Sequence, residues 1–115
     1  MHAKAKTMQY IIAGKGGQGI LFLAKIIAET LLLGKVENFS FLKEFDEAQR
    51  GGEIKITFNL PFKFKDKKLT VKDHNMIELR KVVKDLNLNE EKVKKALKNL
   101  KPKAFKNNLN IWKKI

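Results

Sequence analysis

Ile11-Ile12-Ala13-Gly14-Lys15-Gly16-Gly17-Gln18-Gly19-Ile20-Leu21 is the stretch from which the fold of this chain is read. A short apolar run enters four glycines within six residues, and a long apolar segment leaves them. Glycine lets backbone take positive φ or approach a neighbour without a Cβ clash. Four of them so close together describe a tight turn between a strand and a helix packed hard on each other. Such a turn also aims free backbone N–H groups outward at a helix N-terminus, where an anion is favoured.

Working outward, Gln9 to Ala13 reads as the first strand. The helix from Gln18 to Leu33 is apolar almost all round, with Lys25, Glu29 and Thr30 as its only clearly polar positions after Gln18. That pattern suits a helix packed on a sheet and covered on its other side. Gly34 supplies a C-terminal stop. A second strand, Val36 to Phe41, is expected to return parallel to the first through a right-handed crossover. The charged segment Leu42 to Gly52 reads as a loop. Glu53 to Leu60 then alternates, with Ile54, Ile56, Phe58 and Leu60 on one face and Lys55, Thr57 and Asn59 on the other, as in a half-buried strand.

Pro61 ends that strand, and Phe62-Lys63-Phe64 with Leu69-Thr70-Val71 reads as a small basic hairpin. From Asp73 the period becomes helical, with Met76, Leu79, Val83 and Leu86 in one stripe. Asn89 caps a further helix over Glu90 to Leu100, acidic in its first turn. Pro102 opens the last one, where Phe105, Leu109 and Trp112 recur at helical spacing. The shortness of this sheet leaves the Gln18–Leu33 helix short of cover, so an exposed apolar patch marking an interaction surface is expected.

A chain of 115 residues with 43% hydrophobic and 32% charged residues fits a single domain spanning 1–115. The basic start, Met1 to Thr7, runs into a short strand and glycines rather than a signal-peptide core, which reads as a cytoplasmic protein with no membrane segment. Without cysteine the chain has no disulfide and cannot hold an iron–sulfur cluster through thiolates. Net charge is +13, and because Arg50 and Arg80 are the only arginines, 23 of the 25 basic residues are lysine. A lysine-rich surface is the plain explanation. An acidic protein or a phosphorylated cofactor drawn in by the field of the whole molecule is the sharper one. Few arginines, and phenylalanines at core spacing, argue against a nucleic-acid reader.

The glycine turn departs from two familiar phosphate-binding loops. A P-loop needs lysine and a hydroxyl residue after its last glycine, whereas Gly19 is followed by Ile20 and Leu21. The dinucleotide fingerprint is met by Gly14, Gly16 and Gly19, but the acidic residue expected about 20 positions on is missing from the end of the second strand. A stand-alone nucleotide-binding module is therefore half supported. Arg50 before two glycines offers a planar fork that clamps a carboxylate or phosphate, or else pairs with Glu44, Asp46 or Glu47 to order its loop. His2 and His74 have no catalytic partner in the pattern, Ser40 lacks a nucleophile context, and no metal-ligand spacing occurs.

Gly14-Lys15-Gly16-Gly17-Gln18-Gly19, then Ala24, Ala28-Glu29 and Gly34, then Ala48-Gln49-Arg50-Gly51-Gly52, resembles the gamma subunit of 2-oxoacid:ferredoxin oxidoreductases. That family includes pyruvate synthase and the enzymes for 2-oxoglutarate, 2-ketoisovalerate and indolepyruvate. The two glycine runs, some 30 residues apart with a helix and a strand between, form a specific pair. The resemblance covers about residues 9 to 60, with a fainter echo from Ala96-Leu97 to Trp112. Members are usually longer in the middle, so the resemblance is to a shortened member, and Asp46 stands where a glycine often precedes the arginine.

The resemblance implies an α/β fold, a three-layer α/β/α sandwich with a Rossmann-like βαβ start, here with a shortened sheet, the small hairpin and C-terminal helices. It implies a subunit of an oxidoreductase that converts a 2-oxoacid and coenzyme A to acyl-CoA and carbon dioxide while reducing ferredoxin. Thiamine diphosphate, magnesium, iron–sulfur clusters and coenzyme A are then held through the alpha, beta and iron–sulfur subunits, and this chain binds none of them alone and contributes no catalytic residue or metal ligand. Gly14, Gly16, Gly17, Gln18, Gly19 and Arg50 form its cofactor-facing or subunit-contact edge. A shortened regulatory or assembly paralogue is the further alternative.

Overall fold

The computed structural model describes residues 7–15, 19–45 and 52–114. Within them the chain is a mixed α/β unit with a four-stranded sheet and four α-helices. The strands are β1 (Met8–Lys15), β2 (Ser40–Phe45), β3 (Glu53–Leu60) and β4 (Lys67–Thr70). The helices are α1 (Ile20–Leu33), α2 (Asn75–Leu86), α3 (Glu90–Leu100) and α4 (Phe105–Lys113), with a 3₁₀ turn over Pro102–Ala104.

Strand order is β2-β3-β1-β4. β3 pairs antiparallel with β1 along its whole length, from Met8↔Leu60 to Lys15↔Glu53. β4 pairs parallel with β1 on the other side, and β2 lies at the far edge, antiparallel to β3. The strand after α1 therefore runs in the direction of β1, as expected, but is not its neighbour: β3 lies between them. It also covers Ser40–Phe45 rather than Val36–Phe41. Eight alternating residues in β3 match eight in β1 and make the long central ladder, while Val36 and Phe39 pack on the core in the connection that leads to β2.

The hairpin expected over 62–71 is absent. Leu69 and its neighbours pair instead with β1, and the Val71 N–H donates to the Ala13 carbonyl at 2.8 Å. Joining β1 leaves Val71 buried and Leu69 partly buried, cover that a free-standing hairpin could not supply. Phe62 and Phe64 pack on each other instead, ring centroids 5.9 Å apart.

One face of the sheet carries the core. Met8, Tyr10 and Ile12 face Leu60, Phe58 and Ile56 across the ladder, and all are buried with residues of every helix. Each such side chain contributes roughly 1.5–3 kcal/mol of burial. α3 packs along α1, and α4 against α2. The opposite face shows Gln9, Ile11, Lys55, Thr57, Asn59, Leu42, Lys68 and Thr70, and the described helices gather on the core side.

Local chemistry sets the helix ends. Gly19 caps α1 in the left-handed region at φ 73°, which suits glycine. At the other end the chain turns at Gly34, but the left-handed residue is Lys35, φ 59°. Thr30, the buried polar residue of α1, donates its hydroxyl to the Ile26 carbonyl at 2.7 Å. His74 Nδ1 accepts from Met76 N–H at 3.1 Å to cap α2, and Asn89 accepts from Lys92 N–H at 3.1 Å to cap α3, as its sequence pattern predicts. α1 buries seven of its residues, and among the described residues the exposed large apolar side chains are Leu21 and Leu32 on α1, Phe41 and Leu42 on β2, and Phe64.

Candidate functional site: the carboxyl end of the sheet

β1, β2 and β4 end at the same edge of the sheet, the edge at which β3 begins. Gly14 faces Ile54 and Lys15 faces Glu53 in the last rungs of the central ladder, and Phe45 faces Ile54 from the other side. The segment that follows Lys15 and the segment that links Phe45 to Glu53 therefore start from one place. These are the two segments that carry the paired glycine runs.

Of the candidate residues, Gly14 is buried in β1 and Gly19 opens α1. Gly16, Gly17, Gln18 and Arg50 lie outside the described residues, as do Asp46 and Glu47. Gly19 has a close neighbour: a Cβ built on it would come within 3.1 Å of Asn75 Nδ2, at the first turn of α2. The N-termini of α1 and α2 thus meet beside the strand ends, and both helix dipoles point their positive ends there.

A cleft of about 440 Å³ opens at this end, lined among the described residues by Ala13, Gly14, Lys15, Glu53, Lys68, Thr70, Val71 and Lys72. In open α/β sheets, ligands settle outside the carboxyl ends of strands. Three lysines against one glutamate make the lining cationic, and Thr70 adds a hydroxyl. The site suits an anionic group. Sequence reading missed Lys68 and Thr70 as lining residues because it placed them in a hairpin, and Lys72 because it follows that hairpin directly; the signal is the alternation of Lys68 and Thr70 on one face of a strand.

A buried carboxylate holds this wall in place. Glu78 of α2 has no exposed surface; it accepts from Lys72 N–H at 3.2 Å and from Lys81 Nζ at 2.7 Å. The hydrogen bond to Glu78 raises the Lys81 pKa, helped by the Glu78 and Asp73 charges and opposed by some desolvation. Farther along the sheet, Tyr10 donates to Asp85 Oδ2 at 2.7 Å, and Lys67 donates to Asp85 Oδ1 at 2.9 Å. Burial, then the bond to Asp85, pushes the Tyr10 phenol far above its usual range. These contacts join β1, β4 and α2.

Arg80 makes a third junction. Its guanidinium lies 3.8 Å from the centre of the Trp112 ring, donates to the Trp112 carbonyl at 3.2 Å and pairs with Glu90, so that α2 holds both α3 and α4. A second cleft, about 300 Å³ and lined by Leu31, Val36, Phe62, Leu86 and Leu88 among others, lies at the opposite end of α1.

Among the described residues no group of three His, Cys, Asp or Glu is placed to hold a metal ion, and no helix is long and apolar enough to cross a membrane. No protein-family model and no curated protein matches this sequence.

Proposed function

We propose that this chain is a gamma-type subunit of a 2-oxoacid:ferredoxin oxidoreductase, itself non-catalytic, that works in the cytoplasm beside subunits carrying thiamine diphosphate and iron–sulfur clusters. The observation that carries the reading is the Lys15–Glu53 rung, which joins the strand leading into the Gly16–Gly19 run to the strand leaving the Gln49–Gly52 run. Two motifs that resemble the family only as a pair start from one edge of the sheet. A packing turn alone would need the first run and not the second.

The same edge offers the contacts a subunit needs. Gly14 and Gly19, with Gly16, Gly17, Gln18 and Arg50 in the intervening segments, form the cofactor-facing or subunit-contact edge. Lys15, Lys68 and Lys72 give it the charge to receive phosphate groups, such as those of coenzyme A held between subunits, or the surface of an acidic ferredoxin. The alpha, beta and iron–sulfur subunits supply thiamine diphosphate, magnesium and the clusters. The finer fold, a three-layer α/β/α sandwich with a Rossmann-like start, belongs to this reading. Its support is the β1–glycine turn–α1 sequence and the common direction of β1 and β2, and a partner subunit against the helix-free face would provide the outer layer.

The test is mild anaerobic affinity purification of the tagged chain from its own host. Co-elution of a thiamine-binding subunit and a cysteine-rich one, with oxoacid- and coenzyme A-dependent dye reduction in the same fraction, is expected. Partners without activity would indicate a regulatory paralogue, and a lone monomer would overturn the reading.

A further inference from the structure

The two edges of the sheet differ. β4 is four residues long and mostly exposed, and Lys67 and Lys68 guard it in the way charged residues protect free edges. β2 carries its exposed charges, Lys43 and Glu44, only in its second half. It exposes Phe41 at 42% on the helix side and Leu42 at 59% on the other, although its sequence is Ser40-Phe41-Leu42-Lys43-Glu44-Phe45. Among the described residues it pairs only with β3, so the outward N–H and C=O groups along its length suit another strand.

We propose that β2 pairs antiparallel with β2 of a second copy of this chain, about a two-fold axis through Leu42, joining two four-stranded sheets into one. This inference does not rest on the subunit reading. It rests on the strand's complementarity to itself. With the axis at Leu42, the two leucines meet on the helix-free face. Lys43 of one copy then stands opposite Phe41 of the other, where its stem covers the ring, and Glu44 stands opposite the Ser40 hydroxyl. Moving the axis to Lys43 or Glu44 sets like charges directly opposite each other, which is destabilising. Offsets of one residue turn one sheet over and bring the helix-covered face of one copy beside the open face of the other.

The ladder is short and each copy carries +13, so the dimer is weak and long-range repulsion opposes it. Salt screens that repulsion, so pairing strengthens as salt is added, whereas docking of an acidic partner would weaken.

The chain has no cysteine, which makes cross-linking a clean readout. Directly opposed residues bring their Cβ atoms to about 4.5–5.5 Å, near enough for a disulfide after small adjustment. Two residues 40 in this register are separated by a four-residue offset, about 14 Å at the usual strand rise. Full-length Leu42→Cys under mild oxidation is therefore expected to form covalent dimer at least about tenfold faster than Ser40→Cys, and faster at high salt than at low. Sedimentation equilibrium should show concentration-dependent dimer for the unaltered chain, and loss of it in Leu42→Lys. Equal cross-linking of the two cysteine variants, or a strictly monomeric parent chain, would overturn the proposal and leave this edge to a strand from a different protein.

Discussion

Asn75 Nδ2 occupies the space into which a side chain on Gly19 would grow: a Cβ there would lie 3.1 Å from it. Gly19 is also left-handed, φ 73°, so the entry to α1 depends on glycine twice. Gly19→Ala is expected to cost about 1–2 kcal/mol from the backbone alone, with Asn75 able to swing aside. Urea unfolding measures this, and Asn75→Ala should leave the backbone part of the penalty intact in the double variant.

Alkaline pH should unfold this protein early. Tyr10 has a folded pKa raised above its unfolded value, and so does Lys81. In both cases the folded state keeps a proton that the unfolded state gives up, so their contribution is complete below the unfolded values of 10.0 and 10.5, begins to fall as pH passes them, and is lost as pH rises through the higher folded values. Stability followed from pH 8 to 11 by urea midpoints is expected to fall above about pH 10. Tyr10→Phe removes the tyrosine share: it starts about 1 kcal/mol lower through the lost bond to Asp85 and declines less steeply.

Arg80 links three helices, and Trp112, the sole tryptophan, reports on it. Arg80→Ala is expected to lose about 1–3 kcal/mol, from the stacking and the hydrogen bonds together, and to shift Trp112 fluorescence to the red as α4 loosens. Arg80→Lys should recover only part of this, since an ammonium keeps the charge but lacks the planar fork.

The cationic cleft can be separated from the fold. Lys68 and Lys72 are exposed, so Lys68→Glu with Lys72→Glu should change stability by less than about 1 kcal/mol in total. On the subunit reading the same pair should abolish co-elution with the partner subunits, or weaken it with a strong salt dependence. Far-UV circular dichroism and the urea midpoint confirm that the variant remains folded.

Much of this architecture was legible in the sequence. The strand–glycine–helix start, the alternation of Ile54, Ile56, Phe58 and Leu60, and the Asn89 cap all rest on local patterns, and local patterns survive in the fold. Strand partnership is not local. Nothing within Val36 to Phe45 says that β3 will insert between β1 and β2, because that choice follows from the eight-residue match of β1 with β3. The hairpin over 62–71 failed for the same reason: Leu69 and Val71 find better cover on β1 than on Phe62 and Phe64. In the site, Gly14 and Gly19 were visible as glycines in a turn. Lys68, Thr70 and Lys72 became visible only once β4 was known to lie beside β1. Glu78, an acidic residue within an amphipathic helix, carries no sequence sign of its burial against Lys72 and Lys81.

The measurement that bears most directly on the subunit reading is reconstitution. The purified alpha, beta and iron–sulfur partners, prepared anaerobically, are assayed for oxoacid- and coenzyme A-dependent dye reduction with this chain omitted and then restored. Activity that rises from background on addition of the chain, and fails to rise with the Lys68→Glu and Lys72→Glu variant, is the predicted result. Full activity without the chain, together with no association between it and the other subunits, would contradict the account.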